Sequence, residues 1–108
     1  MPTEIDLKRT VRAVRNRIEG GLDGPDISQP GEMTPYIQMI DGALLPGGFT
    51  LFCPGCAERV SLPTAGPGPH WAATGDLDAG TLTLTPSIWH SNGCGWHGYL
   101  TNGVFSPV

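Results

Sequence analysis

Two short turns with metal-ligand spacing limit what this chain can fold into. Cys53-Pro54-Gly55-Cys56 and Cys94-Gly95-Trp96-His97 each set two donor side chains three positions apart, with a glycine between them that lets the backbone curl. A tetrahedral structural site takes four soft or borderline ligands, and two such turns supply them. Between Cys56 and Cys94 lie 37 residues, enough for a few strands, so the metal is expected to clip the start of a sheet to its end. The expectation is one structural zinc ion on Cys53, Cys56, Cys94 and His97. His90, four residues before Cys94, is the first alternate for the fourth ligand, and His70, beside Trp71, is the second. The competing reading is a Cys53–Cys56 disulfide or redox pair, with Cys94 as a small buried hydrophobe. No helix pattern follows Cys53, which weakens it, because thiols with a lowered pKa usually open a helix.

A chain like this needs such a clip. It has 108 residues, 16 of them Gly and 11 Pro, and only 39% are hydrophobic. That is room for one domain with a thin core, and small domains often add a metal to what burial supplies. Structural zinc contributes roughly 10–16 kcal/mol of apparent binding free energy, as much as the whole net stability of a small domain.

Along the chain three regions are expected. Residues 1–19 read as a basic amphipathic helix. Thr3 is its N-cap, Leu7, Val11, Val14 and Ile18 form a narrow apolar stripe, and Gly20-Gly21 end it. A stripe this narrow on a short helix needs a surface to lie on. Residues 20–48 read as an extended Gly/Pro-rich arm with a small apolar island at Tyr36, Ile37, Met39 and Ile40. Residues 49–108 read as a zinc-stabilised antiparallel β domain. Thr81 to Thr85 alternates with period two, and Asn102-Gly103 between apolar runs signals a hairpin. The fold class is therefore mainly β, preceded by the helix and the arm.

Phe52-Cys53-Pro54-Gly55-Cys56, His70-Trp71, the run Thr81 to Ile88 with its Thr-x-x-Pro-Ser-Ile pattern, Cys94-x-x-His97 and Asn102-Gly103-Val104 together resemble a family of small, uncharacterised phage and bacterial zinc-binding domains. The resemblance covers about residues 49–105. It implies a β-rich zinc fold of phage type and no particular activity. The chain stops three residues after Phe105, without the longer tail associated with that family.

The formal net charge is -4, unevenly spread. Residues 1–19 carry Lys8, Arg9, Arg12, Arg15 and Arg17 against three acids, whereas the rest holds only Arg59 against seven. An acidic body disfavours broad phosphate-backbone binding, which leaves residues 8–17 as a candidate nucleic-acid reader. No run is long and apolar enough for a membrane span or a signal peptide, so the expected location is the cytoplasm where the chain is made, a host cytoplasm for a phage protein. Three Cys ligands and one His close a metal shell and make a poor Lewis acid. Ser87 and Ser91 near His90 lack an orienting acid, and Glu58, Asp76 and Asp78 read as turn acids. The expectation is accordingly a non-enzyme without a small-molecule substrate. Its role is an assembly or interaction module, a virion subunit among the options, that meets a protein partner or its own copies through Leu7, Val11, Arg12, Val14, Arg15 and Ile18.

Overall fold

The chain, seen in a computed structural model, is described over residues 5–15, 29–66 and 68–108. These residues form nine strands: β1 (Val11–Arg12), β2 (Val14–Arg15), β3 (Glu32–Ile40), β4 (Ala43–Phe52), β5 (Arg59–Pro63), β6 (Ala72–Thr74), β7 (Thr83–Trp89), β8 (His97–Thr101) and β9 (Val104–Pro107). They build a five-stranded sheet in the order β1-β9-β8-β7-β6 and a four-stranded sheet in the order β2-β3-β4-β5. All neighbours are antiparallel except β2 and β3.

Residues 5–15, expected as part of the basic helix, hold a single turn at Leu7-Lys8 and no helix, and no helix occurs among the described residues. The rest of the expected helix, with Ile18, lies outside them. The segment is a seam between the sheets. Arg12 and Val11 pair with Val104 and Phe105 on β9, and Val14 and Arg15 pair with Glu32 and Met33 on β3. Ala13 between them is buried, and its N–H donates to the Gly103 carbonyl at 2.8 Å. A short isolated helix is marginal in water, whereas two sheet edges offer each backbone group a partner. Two of the basic side chains are engaged: Arg9 Nη1 donates to the carbonyls of Pro54 (2.8 Å) and Gly55 (3.1 Å), and Arg15 pairs with Asp78 at 2.7 Å. Of the stripe residues, Val11 is half-buried against the core, while Leu7 and Val14 are exposed.

The described part of the expected arm, residues 29–48, is likewise largely strand, and residues 20–28 lie outside the described residues. Residues 32–52 form a hairpin, β3–β4, turning at Asp41-Gly42 with φ of 50° and 83°. Asp-Gly suits a two-residue turn that needs positive φ at both positions. The register shifts between Tyr36 and Ile37, and beyond that point the hairpin leaves the core, with Ile37 and Leu44 about 70% exposed (71% and 70%). The Asn102-Gly103 turn between β8 and β9 has the same signature, φ 48° and 80°.

One core takes side chains from both sheets. Met33, Leu51 and Leu62 come from β3, β4 and β5, and Leu84, Ile88, Leu100 and Phe105 from β7, β8 and β9. Trp96, fully buried, meets Phe105 edge-on with ring centroids 6.2 Å apart. Its indole N–H donates to the Arg9 carbonyl at 3.2 Å, which ties the N-terminal seam to the centre. No helix among the described residues is long and apolar enough to cross a membrane.

Candidate metal centre and serine–histidine pair

Cys53 follows the last residue of β4, and the chain then curls through Pro54-Gly55-Cys56 into β5. Ala57 N–H bonds to the Cys53 carbonyl (2.7 Å) and Cys53 N–H to the Glu58 carbonyl (2.8 Å), which closes the knuckle. Ala57 sits at φ 64°, a conformation L residues rarely adopt. A side chain at Gly55 has no room, since a Cβ there lies 2.8 Å from Trp96 Cβ and 2.9 Å from Cys94 Sγ. The Gly55 N–H instead donates to Cys53 Sγ at 3.3 Å.

The second half comes from the β7–β8 turn. His90 N–H bonds to the Trp96 carbonyl, and Gly93 and Gly95 N–H groups bond to the His90 carbonyl, so His90 stands at the mouth of the turn and Cys94 within it. Cys53 Sγ lies 3.6 Å from Cys94 Sγ, and His90 Nδ1 lies 3.7 Å from both Cys56 Sγ and Cys94 Sγ. All four donor atoms fall within 4.8 Å of one another. Donors 2.0–2.3 Å from one tetrahedral centre are about 3.5–3.8 Å apart, so the set fits one metal ion. Burial pushes the Cys53 thiol up to about 12 and the Cys56 thiol in the same direction. A cation among the sulfurs reverses that preference by stabilising thiolates. His90 Nε2 faces Glu58 Oε2 at 3.7 Å, the kind of carboxylate partner that orients a ligating imidazole.

The three expected cysteines come together, but the histidine beside them is His90. His97 is elsewhere, because the turn spans 90–96 and β8 begins at residue 97. Trp96 takes the inward position, and strand alternation sends the next side chain to the opposite face. His70 is exposed, its Nδ1 at 3.0 Å from the Gly68 carbonyl of its own turn. Glu58, read from sequence as a turn acid, and Arg9, read as part of the basic segment 8–17, both serve the knuckle. Arg9 carries no local signal, since it reaches Pro54 across 45 positions.

On the opposite face His97 Nε2 lies 2.9 Å from Ser87 Oγ. Ser87 sits within an irregular part of β7: Leu84 pairs with Leu100 and Ile88 with Gly98, so four steps on one strand face two on the other. Such a bulge re-aims a side chain, here towards the first residue of β8. The Trp71 indole donates to the Ser87 carbonyl at 3.2 Å and steadies that backbone. The Trp89 ring lies against the His97 ring with centroids 5.7 Å apart and planes tilted by 34°. Among the described residues no carboxylate contacts His97. A hydroxyl and an imidazole nitrogen at this distance form a nucleophile–base unit when Nε2 is the unprotonated nitrogen. Sequence reasoning weighed Ser87 against His90, its near neighbour, and missed His97, whose approach depends on the bulge.

A family model described as Bacterial ubiquitination-like system serine protease (BubE) matches residues 23–108, a span that holds both sites. The chain matches no curated protein and no solved structure. The family's description overturns the expectation of a non-enzymatic, phage-type assembly module, and with it the structural-protein and virion readings.

Proposed function

Since the chain belongs to the family of bacterial ubiquitination-like system serine proteases, we propose that it is a serine peptidase whose reacting pair is Ser87 and His97. The observation that carries this reading is the 2.9 Å contact between Ser87 Oγ and His97 Nε2. Ser87 Oγ attacks the carbonyl carbon of an amide in a protein of that system while His97 Nε2 takes the hydroxyl proton. His97 then hands the proton to the leaving amine as the C–N bond breaks, and water hydrolyses the acyl-enzyme by the same route. The protein partner expected from the sequence becomes, on this reading, the substrate.

Zinc is the metal that best suits Cys53, Cys56, His90 and Cys94, three thiolates and one imidazole at tetrahedral spacing. When bound it supplies folding energy rather than Lewis-acid chemistry, as its shell is closed. Two of its ligands hold the turn that joins the strands of Ser87 and His97.

The test is labelling by a fluorophosphonate probe, together with release of a fluorophore amide-linked to the C-terminus of a ubiquitin-like protein of the same system. Ser87→Ala is expected to abolish labelling and His97→Ala to slow release by about 10³-fold or more. Undiminished release by Ser87→Ala rejects the assignment.

A further inference from the structure

A serine–histidine pair needs something to hold the imidazole and to stabilise the positive charge it gains. In triads a carboxylate does both. Among the described residues no carboxylate contacts His97, and its Nε2 faces Ser87 Oγ. The group lying on that ring is Trp89. The two residues are direct cross-strand partners in the β7–β8 register, and their ring centroids are 5.7 Å apart. Trp89 is 63% exposed, so little core burial accounts for an indole at this position in a chain with three tryptophans.

We infer that Trp89 is a positioning residue for His97, holding the imidazole on Ser87 and steadying the charge it gains. The inference rests on the Ser87–His97 reading above. As the Ser87 Oγ–carbon bond forms, the hydroxyl proton passes to His97 Nε2 and the imidazole becomes a cation. The proton leaves again with the amine when the C–N bond breaks, so His97 ends neutral and no further reactant enters. The face of an indole attracts a cation within about 6 Å of its centroid, more strongly than other aromatic rings do. That attraction exists only while His97 is charged, so it lowers the barrier without tightening the ground-state complex. The ring also narrows the rotation of the imidazole about its side-chain bonds and keeps Nε2 on Ser87. No charged side chain among the described residues faces His97 from β7, β8 or β9 to oppose this.

The experiment compares Trp89→Leu and Trp89→Phe in the full chain, with metal content and thermal unfolding as controls and Ser87→Ala alongside. Trp89→Leu keeps apolar bulk and loses the π face. Its kcat is expected to fall about three- to thirtyfold with KM within about twofold. Trp89→Phe is expected to recover most of the loss. A Trp89→Leu enzyme with wild-type kcat, a rise in KM alone, or equal losses in the Leu and Phe variants each overturn the inference. Because Trp89 is largely in solvent, the fold should persist. Should Trp89→Leu fail to fold, Trp89→Met provides the same contrast with Phe. Full activity in Ser87→Ala removes the dyad reading itself. A dead Ser87→Ala beside an unaffected Trp89→Leu leaves that reading standing and removes only the role of Trp89.

Discussion

His90 and His97 stand seven positions apart on one β-hairpin and live in opposite surroundings. His90 is 7% exposed and turns Nδ1 towards the sulfurs of Cys56 and Cys94. His97 is half-buried on the outer face and turns Nε2 towards a hydroxyl. The first has a carboxylate at its far nitrogen and the second has none among the described residues. On the reading proposed above, the same side chain serves as a ligand in one place and a base in the other, and the difference comes from neighbours. A metal bound at the four donors would fix the turn between the two short strands that bring Ser87 and His97 together.

The comparison breaks most visibly if the metal is removed. Stripping it with a strong chelator is expected to unfold the chain and erase the near-ultraviolet signal of buried Trp96, since the loss equals about the net stability of a small domain. A native signal in metal-free protein refutes the role assigned to the cluster. Exchanging the two histidines separately sharpens the contrast. His90→Ala, left with three donors, should bind metal more weakly and lose about 3 kcal/mol or more at saturating metal, roughly 12 °C or more in Tm. His97→Ala should keep its metal and stay within about 1 kcal/mol of wild type, while hydrolysis disappears. Equal losses of stability in the two variants contradict the division between them. The smallest effect is at Gly55, where an added methyl meets Trp96 and Cys94. Gly55→Ala is expected to cost about 1–3 kcal/mol in chemical denaturation and to weaken metal binding, with Ser87 labelling retained on the folded fraction.

Much of the metal cluster was legible along the chain, because a Cys-x-x-Cys turn is a local object and its glycine, proline and flanking strands lie within a few residues. The Asn102-Gly103 hairpin was legible for the same reason. Asp41-Gly42 is the same kind of turn signal between apolar runs, but Pro35, Pro46 and the surrounding glycines mask it by giving the segment the composition of an arm. The N-terminal stripe misled for a physical reason. Four apolar residues at helical spacing say nothing of the two sheet edges that compete for the same backbone groups.

Residue order on its own determined a β-rich chain, its tight turns and the three cysteines that come together as candidate metal donors. These rest on short-range geometry: period, turn conformation and ligand spacing. Only the tertiary structure decided which histidine joins the sulfurs, and that Ser87 meets the other. A bulge of two residues in β7 and the length of one turn choose the face on which each side chain lands. Strand register depends on packing against partners distant in sequence. The same holds for residues 5–15, whose conformation is set by β3 and β9 rather than by their own periodicity.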